Sequence, residues 1–442
     1  MNDVSTSSRP MVDIDRKGRR FRINRENYKS PEIFEREKEL IFNRCWLYLG
    51  HASELPKKGD YVTRIVGGRQ LIFVHSKSGE LNAFFNSCTH RGASVCRERK
   101  GNKKSFTCCY HGWVFSNEGK LLSMNTERGF PEDINADGNL NLHKVPRLEN
   151  YRGFYFVNYN PRAISLHDYL AGARECIDAI CDQSESEMVI LPGEHTYTIK
   201  ANYKYLIENS SDGYHLLPVH ASYFDYLNDR FKGTKDEGAV DKLVKSYYKM
   251  GQVRCLGNGH TILESMVPTG RPVASWIEPW GLEIKEEIDA IRDRLEKEFG
   301  KERMEYITET QKNLIIFPNL VINDIQSITV RYIEPESRNF MRVTGWALGP
   351  EEESAKLRAL RLDNFVSFLG PAGFGSPDDI EMLEICQRGV EGSPIEWTEL
   401  SKGMSDSEDL LTCTGGPDDE VQFQAFWAQW DQVMRNMDQL EA

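Results

Sequence analysis

The chain has 442 residues, which is enough for two or three domains with large hydrophobic cores. Its formal net charge of −12 argues against a nucleic-acid binder, and its ten cysteines are scattered rather than framed as in a secreted disulfide protein. No segment approaches the roughly 18 apolar residues of a membrane helix, and the N-terminus lacks the apolar core of a secretory signal, so we expect a cytoplasmic protein.

Short strand-like runs dominate the chain from about residue 42 to residue 158. Before them, residues 31–45 have the periodicity of an amphipathic helix. The segment YVTRIVGGRQLIFVH consists of two β-rich runs around Gly67 and Gly68, which predicts a hairpin. We therefore expect a small all-β domain over residues 42–158.

Two short segments of this region each combine a cysteine with a histidine. CTHRG contains Cys88 and His90, and CCYHGW contains Cys108 and His111 after a spacer of seventeen residues. Thiolates favour iron–sulfur clusters or zinc, and imidazoles on one iron of a two-iron cluster raise its potential. A structural Cys2His2 zinc site is the alternative, but zinc sites more often pair Cys with Cys and His with His. Here both cysteines could bind one iron and both histidines the other.

A second constellation lies in the segment ENSSDGYHLLPVHAS. Asp212 and His215 are three residues apart and would share one face of a helix. His215 and His220 are five apart, a turn of about 140° on a regular helix, so both reach one metal only if the helix ends or distorts between them. Pro218 lies there and disfavours a continuous helix. Two histidines and a carboxylate are the ligands of non-haem iron oxygenases, whereas a coincidental pair of histidines is the alternative.

Helical and strand-like patterns mix in the rest of the chain. Apolar residues recur at helical spacing over 282–299, and a charge-rich helix is predicted over 351–368. The segments NLIIFPNLVIN, QSITVRYIEP and MRVTGWALGP indicate strands of a sheet. The tail QFQAFWAQWDQVM indicates an aromatic helix that is docked rather than free.

The segment FLGPAGFGSPDDIEMLE offers the missing carboxylate, at Asp378 or Asp379. The same residues also fit the start of a helix, with Ser376 as N-cap, Pro377 in the first turn and Asp379 as an acidic N3 residue. The residues alone leave both interpretations open.

The flanks of the two Cys–His segments, FNSCTHRGASVCRER and FTCCYHGWVFSNEGKLL, make the motif specific. Together they resemble the Rieske domain of aromatic ring-hydroxylating oxygenase large (α) subunits. This resemblance implies a [2Fe–2S] cluster bound by Cys88, His90, Cys108 and His111. The family often has proline after the second ligand cysteine, where this chain has Cys109. Cys108 is favoured as the ligand because it alone leaves a gap of two residues to His111.

The resemblance covers nearly the whole chain and implies an α+β fold. A small all-β Rieske domain over residues 42–158 precedes a larger catalytic domain, 159–442, of antiparallel sheet flanked by helices. The N-terminal segment, 1–41, is expected to pack on the catalytic domain.

The resemblance also implies a mononuclear iron bound by His215, His220 and Asp379, since the second acidic residue of the family's pair is the ligand. Asp212 is implied to bridge a mononuclear-site histidine to a Rieske histidine of the neighbouring subunit. The two metals of one chain are far apart in this family, so such a bridge requires an oligomer, most often a ring of three large subunits.

The function that the resemblance implies is O2-dependent hydroxylation of an aromatic ring, usually cis-dihydroxylation. Electrons come ultimately from NAD(P)H through a separate reductase, with or without a ferredoxin, and a small β subunit often accompanies the large one. The segment GFPEDINADGNLNLHKVPRLENYRGFYFVNYNP resembles the benzoate, cumate and phthalate branch more than the biphenyl or naphthalene branch. We therefore expect an aromatic carboxylate as substrate.

An arginine near the pocket would suit such a substrate, because its fork binds a carboxylate through two hydrogen bonds. Arg254 and Arg331 lie in the catalytic half, although each is more often a surface or ion-pair residue. Candidate lining residues, for which ordinary core is as good an interpretation, are Leu216, Leu217, Phe224 and Phe374. The alternative functions are the same chemistry on a neutral or polycyclic aromatic, monohydroxylation, and a non-enzymatic zinc-stabilised binding protein.

Overall fold

The computed structural model describes residues 10–246, 249, 251–266, 270–273, 275–404, 409–438 and 440–441. Residues 1–9, the start of the predicted N-terminal segment, lie outside the described residues. The chain forms two units: Met1–Ile41, Leu170–Glu187 and Leu191–Gln439 make up the larger, and Phe42–Tyr169, Met188–Ile190 and Leu440–Ala442 the smaller. None of the helices in the described part of the chain has the length and apolar character needed to cross a membrane.

The N-terminal segment begins with a hairpin and continues as two helices: β1 (Val12–Asp15), β2 (Arg20–Asn24), α1 (Glu26–Lys29) and α2 (Pro31–Leu40). Helix α2 begins after Ser30, whose Oγ accepts a hydrogen bond of 3.2 Å from the backbone N–H of Ile33. It ends at Leu40, before the predicted end at residue 45. Strand β2 also pairs with Trp397–Glu399, which joins this segment to the rest of the larger unit.

The smaller unit consists mainly of short strands. Its elements are β3 (Leu47–His51), β4 (Asp60–Val66), β5 (Arg69–His75), β6 (Leu81–Phe85), β7 (Lys100–Asn102), β8 (Ser105–Thr107), β9 (Val114–Ser116), β10 (Leu121–Ser123), β11 (Arg147–Tyr151), β12 (Phe154–Asn158), α3 (Leu166–Leu170) and β13 (Met188–Ile190). Strands β3 to β12 form antiparallel sheets in the orders β6-β5-β4-β7, β10-β9-β8 and β11-β12-β3. The hairpin predicted around Gly67 and Gly68 is confirmed, because Val66 of β4 lies opposite Arg69 of β5.

The remaining elements of the larger unit alternate between helices and strands. They are α4 (Ala173–Cys181), β14 (His195–Ile199), α5 (Tyr203–Ser210), α6 (Leu216–Val219), α7 (Ala221–Phe231), α8 (Ala239–Ser246), β15 (Gly251–Cys255), β16 (Thr261–Ser265), α9 (Leu282–Phe299), α10 (Lys301–Glu309), β17 (Gln311–Ile316), β18 (Leu320–Asp324), β19 (Ile328–Ser337), β20 (Phe340–Pro350), α11 (Ala355–Ser367), α12 (Ser376–Glu391), β21 (Trp397–Glu399), β22 (Thr414–Gly415) and α13 (Val421–Met434). The helix predicted over 282–299 is confirmed as α9, and the predicted tail helix is the buried α13.

An antiparallel sheet organises this unit, with the order β22-β15-β16-β17-β18-β19-β20 and with β14 paired to β20. Residues directly opposite each other on paired strands share a face, and successive residues alternate between faces. One row of opposite residues crosses five strands through Arg254, Ile262, Leu314, Ile322 and Val330. Arg331, which follows Val330, therefore projects from the other face.

Helices cover both faces of the sheet. On the face that carries Arg331, which we call the α5 face, the guanidinium of Arg331 meets Ser210 at the end of α5, and α13 packs on Val253 and Leu263. On the opposite face, which we call the α4 face, Arg254 contacts Glu175 of α4. The fold is thus α+β, with an all-β region followed by an antiparallel sheet flanked by helices, and the prediction of fold class is confirmed.

Candidate metal centres

The two predicted cluster loops have matching backbone hydrogen bonds. In the first loop, the N–H of Cys88 donates to the carbonyl of Ala93, and the N–H of Gly92 donates to the carbonyl of Cys88, both at 2.8 Å. In the second loop, Cys108 and Gly112 make the equivalent bonds at 2.8 and 3.0 Å. Both glycines have positive φ angles, 75° and 70°, which favour glycine because a β-carbon would be strained there.

These loops separate the four donors by type. Cys88 and Cys108 are buried. Burial is the main cause that raises the pKa of Cys88, and the neighbouring Cys108 thiol raises it further. His90 and His111 are partly exposed, and their ring centroids are 4.5 Å apart. His90 also stacks on Trp113, and its Nδ1 is buried without a hydrogen-bond partner in the described residues. Two adjacent thiols on the buried side and two adjacent imidazoles outside them fit a two-iron centre with one ligand type on each iron.

The second centre forms at the ends of the short helix α6 of the larger unit. His215 precedes α6, and His220 lies between α6 and α7 with φ −99° and ψ 35°. The predicted break between the two histidines is therefore present, although it falls at His220 and Pro218 lies inside α6.

The predicted helix that would place Asp212 and His215 on one face is wrong. Asp212 lies in the loop after α5, where its Oδ1 accepts a hydrogen bond of 2.7 Å from the backbone N–H of Tyr214. Such a local turn competes with helix formation. Asp212 still reaches His215, because its Oδ2 lies 3.2 Å from His215 Nδ1.

Asp379 joins the two histidines from the start of α12. Its Oδ1 lies 3.3 Å from His215 Nε2 and 3.3 Å from His220 Nε2, and one ligand atom from each of the three residues lies within 4.8 Å of the others. Ligand atoms about 2.1 Å from a metal and at right angles to each other are about 3 Å apart. The three side chains therefore fit a shared metal.

The residues around Asp379 at the start of α12 bear on both interpretations of this segment, as the source of a metal ligand and as the start of a helix. Ser376 is not the N-cap, since Gly375 occupies that position and Ser376 Oγ donates to the carbonyl of Leu369 at 2.9 Å. Asp378 is the more exposed carboxylate, and its Oδ2 lies 3.8 Å from His220 Nδ1. Asp379 rather than Asp378 therefore faces the point where the histidine Nε2 atoms meet.

Charge favours a cation at this centre. Burial opposes the protonated imidazole of His215, but the carboxylates of Asp212 and Asp379 raise its pKa to about 10. Burial likewise opposes ionisation of Asp379, yet its contacts with His215 and then His220 lower its pKa. Burial lowers the pKa of His220. A metal ion can replace the proton on His215, since metal ligands bind in their deprotonated form.

Asn209 is a site residue that the sequence reasoning missed. Its Nδ2 lies 3.1 Å from Asp379 Oδ1 and 3.2 Å from His215 Nε2, so it contacts two of the three converging residues. The signal was its position in the last turn of α5, just before the histidine segment.

An aromatic cluster adjoins His220. The ring of Phe368 lies 5.9 Å from the His220 ring and 4.7 Å from that of Tyr223, whose hydroxyl accepts a hydrogen bond from Gln326. Phe224 belongs to the buried core of this cluster. The other predicted lining residues, which pack against it partly buried, are Leu216, Leu217 and Phe374. The cluster supplies an apolar surface beside the centre, as an aromatic ligand requires.

Models of two protein families match this chain. The model of the Rieske [2Fe-2S] domain matches residues 45–139. The model of the ring hydroxylating alpha subunit, catalytic domain, matches residues 191–436. The first match contains both Cys–His loops, and the second contains His215, His220 and Asp379.

Individual proteins are similar over most of their length. The large subunit of 2-halobenzoate 1,2-dioxygenase from Burkholderia cepacia is 33% identical over 405 residues, which are 91% of this chain and 83% of that protein. The alpha subunit of toluate 1,2-dioxygenase from Pseudomonas putida is 34% identical over 398 residues, 89% of this chain and 84% of that protein. A solved structure of naphthalene 1,2-dioxygenase with indole in its active site superposes with a TM-score of 0.81 at 25% identity, covering 95% of this chain and 93% of that one.

Proposed function

The chain belongs to the ring-hydroxylating oxygenase alpha subunits, and from this membership we propose that it is the terminal oxygenase of an aromatic-acid dioxygenase. As a member of this family it is an oxidoreductase with a Rieske [2Fe–2S] cluster and a mononuclear iron. The alternative of a zinc-stabilised binding protein is therefore wrong. We propose that residues 42–158 form the Rieske domain and residues 159–442 the catalytic domain, with 1–41 packed on the latter.

The proposal assigns ligands to both metal centres. We assign the cluster to Cys88, His90, Cys108 and His111. We assign the mononuclear iron to His215, His220 and Asp379. The observation that carries the proposal is the convergence of the two histidine Nε2 atoms on one Asp379 oxygen, beside an apolar aromatic cluster.

When bound, the cluster supplies single electrons and the mononuclear iron activates dioxygen beside the ring. The chain's own residues hold and shield that site. Asp379 supplies negative charge between the two imidazoles. Asn209 donates a hydrogen bond to the Asp379 carboxylate and fixes its orientation. Asp212 lies at the Nδ1 of His215, where it can fix the orientation of the ring and leave Nε2 free as a ligand. The aromatic cluster excludes water from this side.

We also propose that Asp212 connects His215 to a Rieske histidine of a neighbouring subunit. Family members are oxygenase components that work with a reductase or ferredoxin, and many contain β subunits or three α subunits. The proposed assembly is a ring of three large subunits, with or without small ones. Since NAD(P)H is the ultimate electron source, we propose that the enzyme works in the cytoplasm.

Replacing Asp212 by alanine is expected to leave both metal centres largely occupied and to lower turnover by about 100-fold, since the loss of hydrogen-bond partners of metal-bound histidines has effects up to this order. Single-turnover experiments should show a cluster that still reduces while reduction of the mononuclear site stalls. Asp212→Asn separates the structural role of Asp212 in the loop from the role of its negative charge. The asparagine oxygen can still accept the hydrogen bond from the Tyr214 amide, but the carboxylate is lost. Normal turnover in Asp212→Asn, or a fully active monomer, would contradict the bridge.

The proposed substrate is an aromatic carboxylate, which the enzyme cis-dihydroxylates. The support is the similarity to relatives named for 2-halobenzoate and toluate over most of the chain. A neutral polycyclic substrate is the second candidate, because the fold is also that of naphthalene 1,2-dioxygenase.

A panel of substrates distinguishes these candidates. With a generic reductase and NADH, we expect turnover of at least one acid among benzoate, 2-chlorobenzoate, 2-methylbenzoate and anthranilate, and little turnover of biphenyl or naphthalene. Mass analysis of the product distinguishes the addition of two hydroxyl groups from that of one. Turnover of a neutral hydrocarbon with no activity on any of the acids would overturn the proposal.

A further inference from the structure

The two arginines that could bind a substrate carboxylate lie on opposite faces of the sheet. Arg254 belongs to the row of residues that ends at Val330, so it projects from the α4 face. Arg331 is the next residue on β19 and projects from the α5 face. The iron ligands contact Asn209 of α5, so only Arg331 lies on the side of the proposed active site.

Arg254 is already neutralised within the protein. Its Nε donates to Glu264 at 3.0 Å, and its Nη2 donates to the other oxygen of the same carboxylate at 2.6 Å. Glu175 lies 3.3 Å from Nη1, and the hydroxyl of Tyr306 accepts from Nη2 at 3.1 Å. A guanidinium whose fork is filled in this way has no free edge for a second carboxylate.

Arg331 has the opposite character. It is 3% exposed, yet among the described residues no carboxylate lies within ion-pair distance of its guanidinium. Its Nη2 donates to Ser210 Oγ at 3.0 Å, and its buried Nε has no hydrogen-bond partner in the described part of the chain. Because an unpaired buried charge is strongly unfavourable, such a residue indicates a site that an anion completes.

The position of Arg331 connects it to the proposed iron ligands. Ser210, its hydrogen-bond partner, ends α5 and directly follows Asn209. The Nδ2 of Asn209 lies 3.1 Å from Asp379 Oδ1. Two adjacent residues in the last turn of α5 therefore contact the two groups: Ser210 contacts the Arg331 guanidinium, and Asn209 contacts the proposed iron ligands.

Buried polar side chains surround Arg331 on the α5 face. Gly345 lies opposite it on β20 and places no side chain beside it. Two residues before it, Thr329 lies opposite Asn323, whose buried Oδ1 has no hydrogen-bond partner in the described residues. A small number of convergent polar groups is typical of a small-molecule site.

From these observations we propose that Arg331 binds the carboxylate of the aromatic substrate and thereby sets the preference for acids. The inference rests on the proposed function, since it takes the substrate to be an aromatic acid. The two nitrogens of the guanidinium edge pair with the two carboxylate oxygens. The carboxylate then lies against the sheet, and the ring extends toward the α5 end where the iron ligands converge. A neutral ester of the same acid cannot neutralise the arginine and is rejected.

The test replaces Arg331 by methionine, which keeps the length and apolar packing of the side chain but removes the charge. The probes are the acid that the wild type turns over fastest in the panel above and the methyl ester of that acid. We expect kcat/KM for the acid to fall by about 100-fold or more, while kcat/KM for the ester rises or stays the same. Arg331→Lys should recover part of the activity on the acid, because it restores the charge without the fork.

A binding measurement provides a readout that is independent of turnover. A saturating concentration of the acid should raise the thermal unfolding temperature of the wild type and leave that of Arg331→Met unchanged, because a ligand stabilises only the form that binds it. The visible spectrum and iron content of the variant should equal those of the wild type. These values would show that a lost response is not caused by misfolding.

The matched control is Arg342→Met. Arg342 is exposed on β20, where its Nε donates to Glu336 Oε1 at 2.7 Å. We expect the ratio of acid to ester activity to stay within about threefold of the wild type in this variant, since an exposed cation contributes little. The rival cation is Arg230, which lines a narrow cavity in the aromatic cluster. Loss of acid preference in Arg230→Met with retention in Arg331→Met would overturn the assignment of Arg331.

The outcomes also separate this inference from the proposed function. A wild type that turns over no acid of the panel contradicts both. A wild type that prefers acids, together with an Arg331→Met variant that prefers them equally, contradicts the role of Arg331 alone. Loss of acid preference in Arg331→Met alone supports both.

Discussion

Replacing Asp379 by alanine is expected to remove the mononuclear iron and abolish turnover while the brown colour of the cluster remains. The reason is geometric, since Asp379 Oδ1 lies 3.3 Å from both histidine Nε2 atoms and supplies the negative charge between them. His215→Ala and His220→Ala should have the same result, because each removes one of three ligand atoms that lie within 4.8 Å of one another. Iron analysis, visible absorption and product formation measure the three properties separately.

The matched control for this experiment is Asp378→Ala. Asp378 precedes Asp379 on the same helix, but its Oδ2 accepts a hydrogen bond of 3.3 Å from Ser222 Oγ and lies 3.8 Å from the Nδ1 of His220, away from the Nε2 atoms. We expect this variant to retain its mononuclear iron. If Asp378→Ala loses the iron and Asp379→Ala keeps it, the carboxylate ligand has been assigned one residue too late.

The secondary-structure elements that residues close together in the sequence determine could be predicted. The apolar spacing over 282–299 predicts α9 at its observed bounds, because the period of a helix is read from the residues that form it. Gly67 and Gly68 predict the β4–β5 hairpin, since a turn of two residues needs the positive φ angles that glycine adopts readily, 57° and 78° here.

The sequence pattern misled where a polar side chain makes a different local hydrogen bond from the one that the pattern suggests. The spacing of Asp212 and His215 predicted a shared helical face, but the bond from Tyr214 N–H to Asp212 forms a turn instead. At the start of α12, Ser376 fits the sequence pattern of an N-cap, whereas the structure has Gly375 there and uses the Ser376 hydroxyl to bond Leu369. In both cases several polar arrangements fit the same sequence.

The sequence could not decide between Arg254 and Arg331, because their directions depend on the register of strands that are far apart in the chain. Arg254 lies on β15 and Arg331 on β19, and β16, β17 and β18 separate them in the sheet. A slip of one residue at any of these pairings would exchange the two faces. Only the complete register shows which arginine points to α5.

Replacing Cys108 by serine is expected to abolish the Rieske cluster, whereas replacing Cys109 by serine should leave it intact. The two loops match residue by residue in their backbone hydrogen bonds, and the position equivalent to Cys88 is occupied by Cys108. Cys108 is 2% exposed beside the Cys88 thiol, whereas Cys109 is exposed. A serine hydroxyl is a poor substitute for a thiolate on iron, so the loss of one ligand removes the brown colour and, with it, the supply of electrons to turnover.

Visible absorption and analysis of iron and inorganic sulfide distinguish the possible results of this pair of variants. Cys109→Ser is the control for the loss of a thiol in this loop, since Cys109 is the more exposed of the two cysteines. A colourless Cys109→Ser protein with a brown Cys108→Ser protein would show that the ligand cysteine was assigned wrongly, despite the matching loops. Zinc without inorganic sulfide in the wild type would contradict the two-iron centre itself, because the segregation of thiols from imidazoles would then serve a single metal.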